Sequence, residues 1–294
     1  MEALVRATAN PLRNKTLDCY FLQKQMSSPK KVFLTFTNTA YHPPTRILEQ
    51  AAAFNIFDKI LHRTELDIPD FIEKHSEFIR NHTAGYGYYI WKPKIILDTL
   101  LNMEDGDILF YCDSGAHLNP KGLPRFQEYL AYLGGDKSIV TFCTSDRYVP
   151  QMFVKQDAVQ YYFPEFNDMK ALENCYAGCI IFKKNEEVVD LIIDWLGLCE
   201  KYDFIDTSIS HYRKELDGFQ GNDKDSGLLN LVLAKYNINY NITPDETNLY
   251  NEEGIQLQHL NLTIHPNDWP WSLLDAFPIH CRRDTGPLRY NIAN

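Results

Sequence analysis

The sequence lacks the features of several structural classes. Its seven cysteines include no CxxC pair, so neither a zinc ribbon nor a disulfide scaffold is supported. No apolar run approaches the roughly 18 residues of a membrane-spanning helix, and the N-terminus lacks the apolar core of a signal peptide. We therefore expect a cytoplasmic protein without a transmembrane segment. The N-x-[ST] triplets are then chance matches; they begin at Asn14, Asn81, Asn241 and Asn261.

Positive charge is scarce as well. The chain has 29 Lys and Arg residues against 39 Asp and Glu residues, which gives a net charge of −10. Nucleic-acid binding depends on concentrated positive charge, so we expect no nucleic-acid partner. A small phosphorylated ligand remains compatible with this charge, because a metal ion and a few local cations can hold it.

Familiar catalytic signatures are missing too. The sequence has no GxGxxG after a strand, no GxxxxGK[ST], no GxSxG and no HExxH. It is nevertheless 45% hydrophobic and 13% aromatic, and its 294 residues can form a sizeable buried core. Any active site must therefore be sought in less common patterns.

Strand and helix patterns alternate along the chain. Strands are predicted at 31–36, 58–64, 107–112, 138–143 and 179–184, and helices at 46–57, 68–82, 93–103, 125–133, 185–202 and 227–236. No Gly/Ser linker and no internal repeat interrupts the alternation. It predicts a single α/β domain at 31–294, with a mixed, mostly parallel central sheet flanked by helices, after an N-terminal extension at 1–30.

The first candidate site is Asp113-Ser114-Gly115, which follows the apolar run 107–112. Ligands of open α/β sheets bind at the carboxyl ends of strands, and a carboxylate there can hold Mg²⁺ or Mn²⁺. Gly115 would allow the backbone to approach a bulky ligand. The alternative interpretation is an ordinary turn that ends a strand.

The second candidate is GYGYYIWKP, residues 85–93. Tyr88 and Trp91 offer flat faces for a base or a sugar ring, and Lys92 could neutralise a phosphate as a point charge. An aromatic core patch at the start of a helix explains the same residues equally well.

Other charged clusters are individually weak. Asp225 could be a base, a metal ligand or a helix cap, and Lys155 and Asp157 lie in a second polar segment. His280 could bind metal and Arg282 could hold phosphate, although a basic cluster in a tail is commonly a solvated face.

Taken in order, these segments resemble a glycosyltransferase family of the GT-A type. GYGYYIWKPKIILDTLLNMEDGDILFYCDSG is similar to that family's G-[YF]-G-[YF]-W-x-W-K-P and Y-x-D-[AS]-G motifs. The similarity extends over about 31–236, and PIHCRR (278–283) is a weaker terminal match. The sequence departs from the family pattern at Tyr89, which replaces a tryptophan, and in the NDKDSG loop, where only Asp225 matches.

The resemblance implies transfer of a hexose or pentose from a nucleotide-sugar donor to a glycan hydroxyl, with Mn²⁺ or Mg²⁺ as the cofactor. Residues 31–120 would bind the donor, and residues 121–294 would hold the acceptor and the tail. Asp113 and His280 would bind the metal, with His265 as a substitute, and Asp225 or Asp157 would act as base. Donor contacts would come from Thr35, Thr37, Asn38, Arg46, Tyr88, Trp91, Lys92, Asp113, Ser114, Gly115, Lys155 and Arg282, and acceptor contacts from Ala177 and Gly178.

Two rival functions stay open. A nucleotidyltransferase also uses metal and carboxylates on an α/β sheet, but it should have a clearer acidic pair and a glycine-rich phosphate loop near the N-terminus. A catalytically weak carbohydrate-binding protein is favoured by the altered NDKDSG loop. Stereochemistry, donor base, sugar and acceptor are not decided by the sequence.

Overall fold

A computed structural model describes residues 28–41, 43–134, 137–143, 150–164, 174–236 and 276–281. The described residues from Lys31 onward belong to one compact unit. The division of this unit into a donor half and an acceptor half stays a prediction.

A sheet of five strands forms the centre of the fold, in the order β2-β1-β3-β6-β5. Strand β1 pairs in parallel with β2 and β3, whereas β6 runs antiparallel to both β3 and β5. Four of the five strands therefore point the same way, and the predicted mixed, mostly parallel sheet is confirmed. Two short strands, β4 and β7, form a separate antiparallel pair. The strands are β1 Lys31–Phe36, β2 Lys59–Arg63, β3 Ile108–Cys112, β4 His117–Leu118, β5 Ile139–Cys143, β6 Cys175–Lys183 and β7 Ile279–His280.

Helices cover both faces of the central sheet. They are α1 Thr45–Ala53, α2 Pro69–Lys74, α3 Ser76–Asn81, α4 Lys92–Leu101, α5 Leu123–Tyr132, α6 Gln156–Tyr162, α7 Glu186–Cys199, α8 Tyr202–Ile205 and α9 Lys224–Lys235. Apolar residues of α4, α7 and α9 join one core with Leu34 and Leu109, while those of α1 and α5 join another with Phe33 and Phe110. Alternate residues of each strand thus face opposite cores, as expected for a central sheet covered on both sides.

Two local predictions need correction. The predicted helix at 68–82 is two helices, because His75 leaves helical geometry and its buried ring bonds to Tyr202 and Glu200. The polar side chain of Gln50 is buried on α1, and its Oε1 accepts a hydrogen bond from the amide of Leu118. Strand β6 begins at Cys175, before the predicted 179.

Within the described ranges, no helix has the length and apolar character needed to cross a membrane.

Candidate functional site

A cavity of about 330 Å³ opens where β1 and β3 end. The two strands are parallel neighbours, so their carboxyl ends meet at one edge of the sheet. The loops after both strands line the cavity, together with the segment before α4. The lining residues are Phe36, Thr37, Asn38, Tyr41, Thr83, Gly85, Tyr86, Tyr89, Trp91, Asp113, Ser114, Gly115, Ala116, Tyr176 and Cys281.

One wall of this cavity is a left-handed helical turn at 85–89. The φ angle is positive at every residue of this turn, including Tyr86, Tyr88 and Tyr89. The turn is closed by hydrogen bonds from the amide of Tyr89 to Gly85 O (3.1 Å) and from the amide of Tyr88 to Ala84 O (2.8 Å). A non-glycine residue in this conformation costs about 1–2 kcal/mol. Strain of this kind persists where surrounding contacts enforce it, and it concentrates at functional sites.

Trp91 anchors the turn to β1. Its ring stacks on Phe36 with the ring centres 3.7 Å apart, and its Nε1 donates to Gly85 O at 2.9 Å. Both aromatic rings are almost fully buried, so this wall is rigid at its base. Tyr88 does not line the cavity; its ring packs against Phe78, and its Oη lies 3.2 Å from Thr207 Oγ1.

Lys92, at the start of α4, lies in a buried cluster with two carboxylates. Its Nζ is 2.7 Å from Asp225 Oδ2 and 3.3 Å from Asp113 Oδ1, and it donates to Ala177 O at 3.2 Å. Burial alone would lower the pKa of the Lys92 ammonium, but the carboxylates of Asp113 and Asp225 more than offset this and hold it above its ordinary value. Lys92 is therefore a permanent cation behind the cavity wall, where it fixes both aspartates.

Asp113 is the charged group that faces the cavity. Its side chain is 19% exposed, and no other Asp, Glu, Lys or Arg in the described ranges lines the cavity. Tyr111 Oη donates to Asp113 Oδ1 at 2.5 Å, and burial together with this carboxylate raises the pKa of Tyr111 well above its ordinary value. The hydroxyl therefore stays protonated and keeps the carboxylate in place.

The loop after β3 is braced from α1. Arg46 Nη1 donates to Ala116 O at 2.9 Å and Nη2 donates to Ser114 O at 3.1 Å. Arg46, which was predicted to contact the donor, therefore holds the conformation of the loop that follows Asp113. Of the predicted β1 residues, Thr37 and Asn38 line the cavity, whereas Thr35 is fully buried and does not.

The predicted acceptor residues, Ala177 and Gly178, lie on β6 behind Asp113. Ala177 is fully buried, and Gly178 O accepts a hydrogen bond from the amide of Asp113 at 2.7 Å. A Cβ at Gly178 would lie 2.1 Å from the Tyr176 ring, so only glycine lets that ring reach the cavity.

Both candidate bases are buried away from the cavity. Asp225 pairs with Lys92, and its main-chain oxygen accepts a hydrogen bond from Trp195 Nε1 at 2.9 Å. Asp157 Oδ2 accepts from the amides of His211 (2.6 Å) and Tyr212 (3.0 Å). Neither residue lines the cavity. The contact between Lys92 and Asp225 is not visible in the sequence, because it joins distant segments.

Lys155 lies in another cluster as well. Its buried ammonium pairs with Asp206, and it donates to Asp203 O at 2.6 Å and to Ser208 Oγ at 2.9 Å. Lys155 therefore makes its hydrogen bonds with these residues, and it does not line the cavity.

Acid is expected to weaken the pair of Lys155 and Asp206. Burial alone would raise the pKa of the Asp206 carboxyl, but Lys155 and Ser208 hold it below its ordinary value. Such a carboxyl stabilises the fold above its ordinary pKa of about 3.9, and this stabilisation is lost as the pH falls through the folded value. Denaturant unfolding from pH 6 down to about pH 2 should show the loss, and Asp206→Asn should flatten it. An unchanged acid dependence in Asp206→Asn, compared with the control Asp203→Asn, would contradict this assignment.

A divalent cation fits the surroundings of Asp113 only if the bound substrate supplies most of its ligands. Mg²⁺ is commonly held by one or two carboxylates together with substrate phosphates. Asp113 supplies one partly exposed carboxylate, with Oδ1 already bonded to Tyr111 and Lys92. In the part of the chain that the structure describes, no three His, Cys, Asp or Glu side chains form a metal-binding group. The residues therefore fit a cation that takes most of its ligands from a diphosphate.

His280, the predicted second ligand, lies on β7 opposite His117 of β4. It is buried and does not line the cavity, whereas the next residue, Cys281, does. The other tail residues predicted for this site, His265 and Arg282, lie outside the described residues.

Comparison with known proteins gives limited similarity. No protein-family model and no curated protein sequence matches the chain. The fold is similar to mouse xyloside xylosyltransferase 1 in its apo form, at 10% identity and a TM-score of 0.38, over 70% of this chain and 82% of that one. It is also similar to a glycosyltransferase involved in the glycosylation of the major capsid of PBCV-1, at 12% identity and a TM-score of 0.33, over 59% of this chain and 68% of that one. Identities and TM-scores this low do not define a family, so the function has to be derived from the site.

Proposed function

We propose that the chain is a glycosyltransferase that binds a nucleotide-sugar donor in the cavity and transfers the sugar to a glycan hydroxyl. The observation that carries the proposal is Asp113, a carboxylate fixed by Lys92 and Tyr111 at the edge of an aromatic cavity, where two parallel strands end. A flat nucleobase and a diphosphate need these two surfaces side by side.

The cavity residues divide naturally between the parts of such a donor. Thr37 and Asn38 offer hydrogen-bonding groups for the nucleoside, and the rings of Tyr86 and Tyr89 offer faces for stacking. Ser114 and Gly115 present the backbone of the loop to the diphosphate, and Arg46 holds that backbone in place.

The charge at Asp113 favours a metal-assisted donor. The carboxylate of Asp113 at the cavity would repel a diphosphate. The Lys92 ammonium does not cancel this repulsion, because it lies behind Asp113 and is shared with Asp225. A divalent cation held by Asp113 would neutralise the diphosphate and stabilise the leaving group. Lys92 and Tyr111 keep the carboxylate oriented, and Asp225 positions Lys92.

The burial of Asp225 and Asp157 favours one alternative, a saccharide-binding protein with little catalysis. A general base must come within hydrogen-bond reach of the acceptor hydroxyl, and neither residue lines the cavity. Hydrolysis of the donor sugar in the absence of acceptor separates the two functions, because a binding protein should release no free sugar.

The proposal predicts that Asp113→Asn binds the donor without a metal effect. Nucleotide sugars selected by thermal shift would be titrated by calorimetry into both proteins, with and without Mn²⁺. We expect Mn²⁺ to tighten binding to the wild-type chain only, and transfer to fall about 100-fold or more in the variant.

Asp105→Asn is the matched control, because Asp105 is an exposed aspartate close in sequence that does not line the cavity. Thermal unfolding of both variants verifies that they fold. Donor affinity in Asp113→Asn that responds to Mn²⁺ as in the wild type would overturn the assignment of Asp113. Failure of every nucleotide sugar to bind the wild type would overturn the proposed function.

A further inference from the structure

The loop at 207–214, between α8 and α9, is held by charged side chains below it. Lys155 is fully buried, pairs with Asp206 and donates to Ser208 Oγ. Asp157 accepts hydrogen bonds from the amides of His211 and Tyr212. This side of the loop is therefore fixed by one buried cation and one buried anion.

Glu215 completes the support. Its Oε1 accepts from the amide of Ser210 at 2.6 Å, and its Oε2 accepts from the amide of Gln156 at 2.8 Å. Burying charged groups is costly unless each one is paired and hydrogen-bonded. These hydrogen bonds hold the 207–214 loop in one conformation, which is more than a simple connection between two helices requires.

The side chains that this loop presents to solvent are two large apolar groups and two cations. Ile209 is 71% exposed and Tyr212 is 85% exposed, and Arg213 and Lys214 beside them are exposed as well. Within the described ranges, neither Arg213 nor Lys214 forms an ion pair. Arg213 and Lys214 are the only Lys, Arg, Asp or Glu residues within 207–214, on a chain whose net charge is −10. The neighbouring carboxylates of Asp157, Asp206 and Glu215 accept hydrogen bonds from the loop or pair with Lys155.

The loop contacts the turn at 85–89 that forms one wall of the proposed donor site, through a residue of that turn that does not itself line the cavity. Thr207 Oγ1 lies 3.2 Å from the hydroxyl of Tyr88, which belongs to the left-handed turn in the cavity wall. Asn222 Nδ2 donates to Asp206 O at 2.6 Å and ties the loop to the segment before α9, the helix that carries Asp225. The start of the 207–214 loop is therefore adjacent to the turn that forms the cavity wall.

We propose that the 207–214 loop binds the acceptor and that this acceptor is an anionic saccharide. The Arg213 guanidinium matches the two oxygens of a carboxylate, and Lys214 adds a second positive charge. The exposed ring of Tyr212 offers a flat apolar face for the C–H face of a sugar. This inference rests on the proposed function, which requires a glycan acceptor next to the donor cavity.

The test compares two saccharides that differ only in charge. Oligogalacturonate and its fully methyl-esterified, neutral form would be titrated by calorimetry into the wild-type chain and into R213E/K214E. We expect the wild type to bind the acid form, with binding roughly tenfold or more weaker for the ester and for the variant. Added salt should weaken the binding of the acid form.

The control is K59E/R80E, which makes the same change in net charge at exposed residues on β2 and α3. We expect it to bind the acid form like the wild type. Equal binding of acid and ester, undiminished binding by R213E/K214E, an equal loss in the control, or no binding of the acid form would each overturn the proposal. So would binding to phosphatidylserine vesicles that the saccharide cannot displace, since the loop would then be a membrane contact.

Donor binding is measured separately on the same preparations. A wild-type chain that binds a nucleotide sugar but neither saccharide refutes the acceptor inference alone. A chain that binds the acid form but no nucleotide sugar refutes the proposed function, and the 207–214 loop would then be a saccharide-binding surface and not an acceptor site.

Discussion

Replacing Lys92 by methionine is expected to lower the free energy of unfolding by about 3–5 kcal/mol, the usual effect of removing one partner from a buried ion pair. Lys92 is almost fully buried between Asp113 and Asp225, and the side chain of Asp225 is only 4% exposed. Without the ammonium, the two carboxylates would repel each other, and the buried carboxylate of Asp225 would have no compensating charge. Urea denaturation followed by circular dichroism measures the loss.

Lys94→Met provides the comparison, because Lys94 forms an ion pair with Asp98 on the same helix and both side chains are about one third exposed. Pairs that solvent can reach in this way contribute about 0–1 kcal/mol. Adding Asp225→Asn to Lys92→Met should restore part of the lost stability, since it removes one uncompensated charge. If Lys92→Met costs no more than Lys94→Met, the buried cluster does not support the fold in this way.

The predictable part of the fold is the part that depends on local patterns. The uninterrupted apolar run at 107–112 predicted a central strand, and every residue of β3 is buried. The sequence near 68–82 has the periodicity of one long helix, but the helix breaks at His75. That break depends on the contacts of His75 with Tyr202 and Glu200, far along the chain, and periodicity carries no information about such partners.

The candidate site was predictable to a similar extent. Asp113 follows a buried strand in a loop that lines the cavity, which the general rule for α/β sheets predicts. Lys92 was expected to meet a phosphate, and it instead lies behind Asp113 in contact with Asp225. Residue type and spacing indicated that Asp113 and Lys92 have the chemistry to hold a metal ion or a phosphate. Tertiary packing decides which of the two faces the cavity.

The left-handed turn was the feature furthest from sequence reasoning. Tyrosine rarely adopts positive φ angles, so neither interpretation of residues 85–93, a ligand-stacking segment or an aromatic core patch, included a strained left-handed turn. Gly85 and Gly87 were the available signal, because glycine adopts this conformation without a steric penalty. At Gly85, an added Cβ would lie 2.5 Å from the ring of Tyr89.

Gly87→Ala is expected to lower the free energy of unfolding by about 2–5 kcal/mol, the sum of backbone strain and overpacking. Gly87 has a φ of +84°, and an added Cβ would lie 2.7 Å from Cγ1 and 3.3 Å from the Cα of Ile79. Helix α3 would have to move away from the turn. Because the turn forms one wall of the cavity, the nucleotide sugar should bind more weakly as well.

Gly106→Ala separates the two contributions. Gly106 has a similar φ of +92°, but nothing lies within 4 Å of an added Cβ, so its variant carries backbone strain alone, about 1–2 kcal/mol. The difference between the two variants in denaturant unfolding then measures the contact with Ile79. Equal losses would mean that α3 yields to the added methyl group, and unchanged donor affinity in Gly87→Ala would mean that the turn does not shape the donor site.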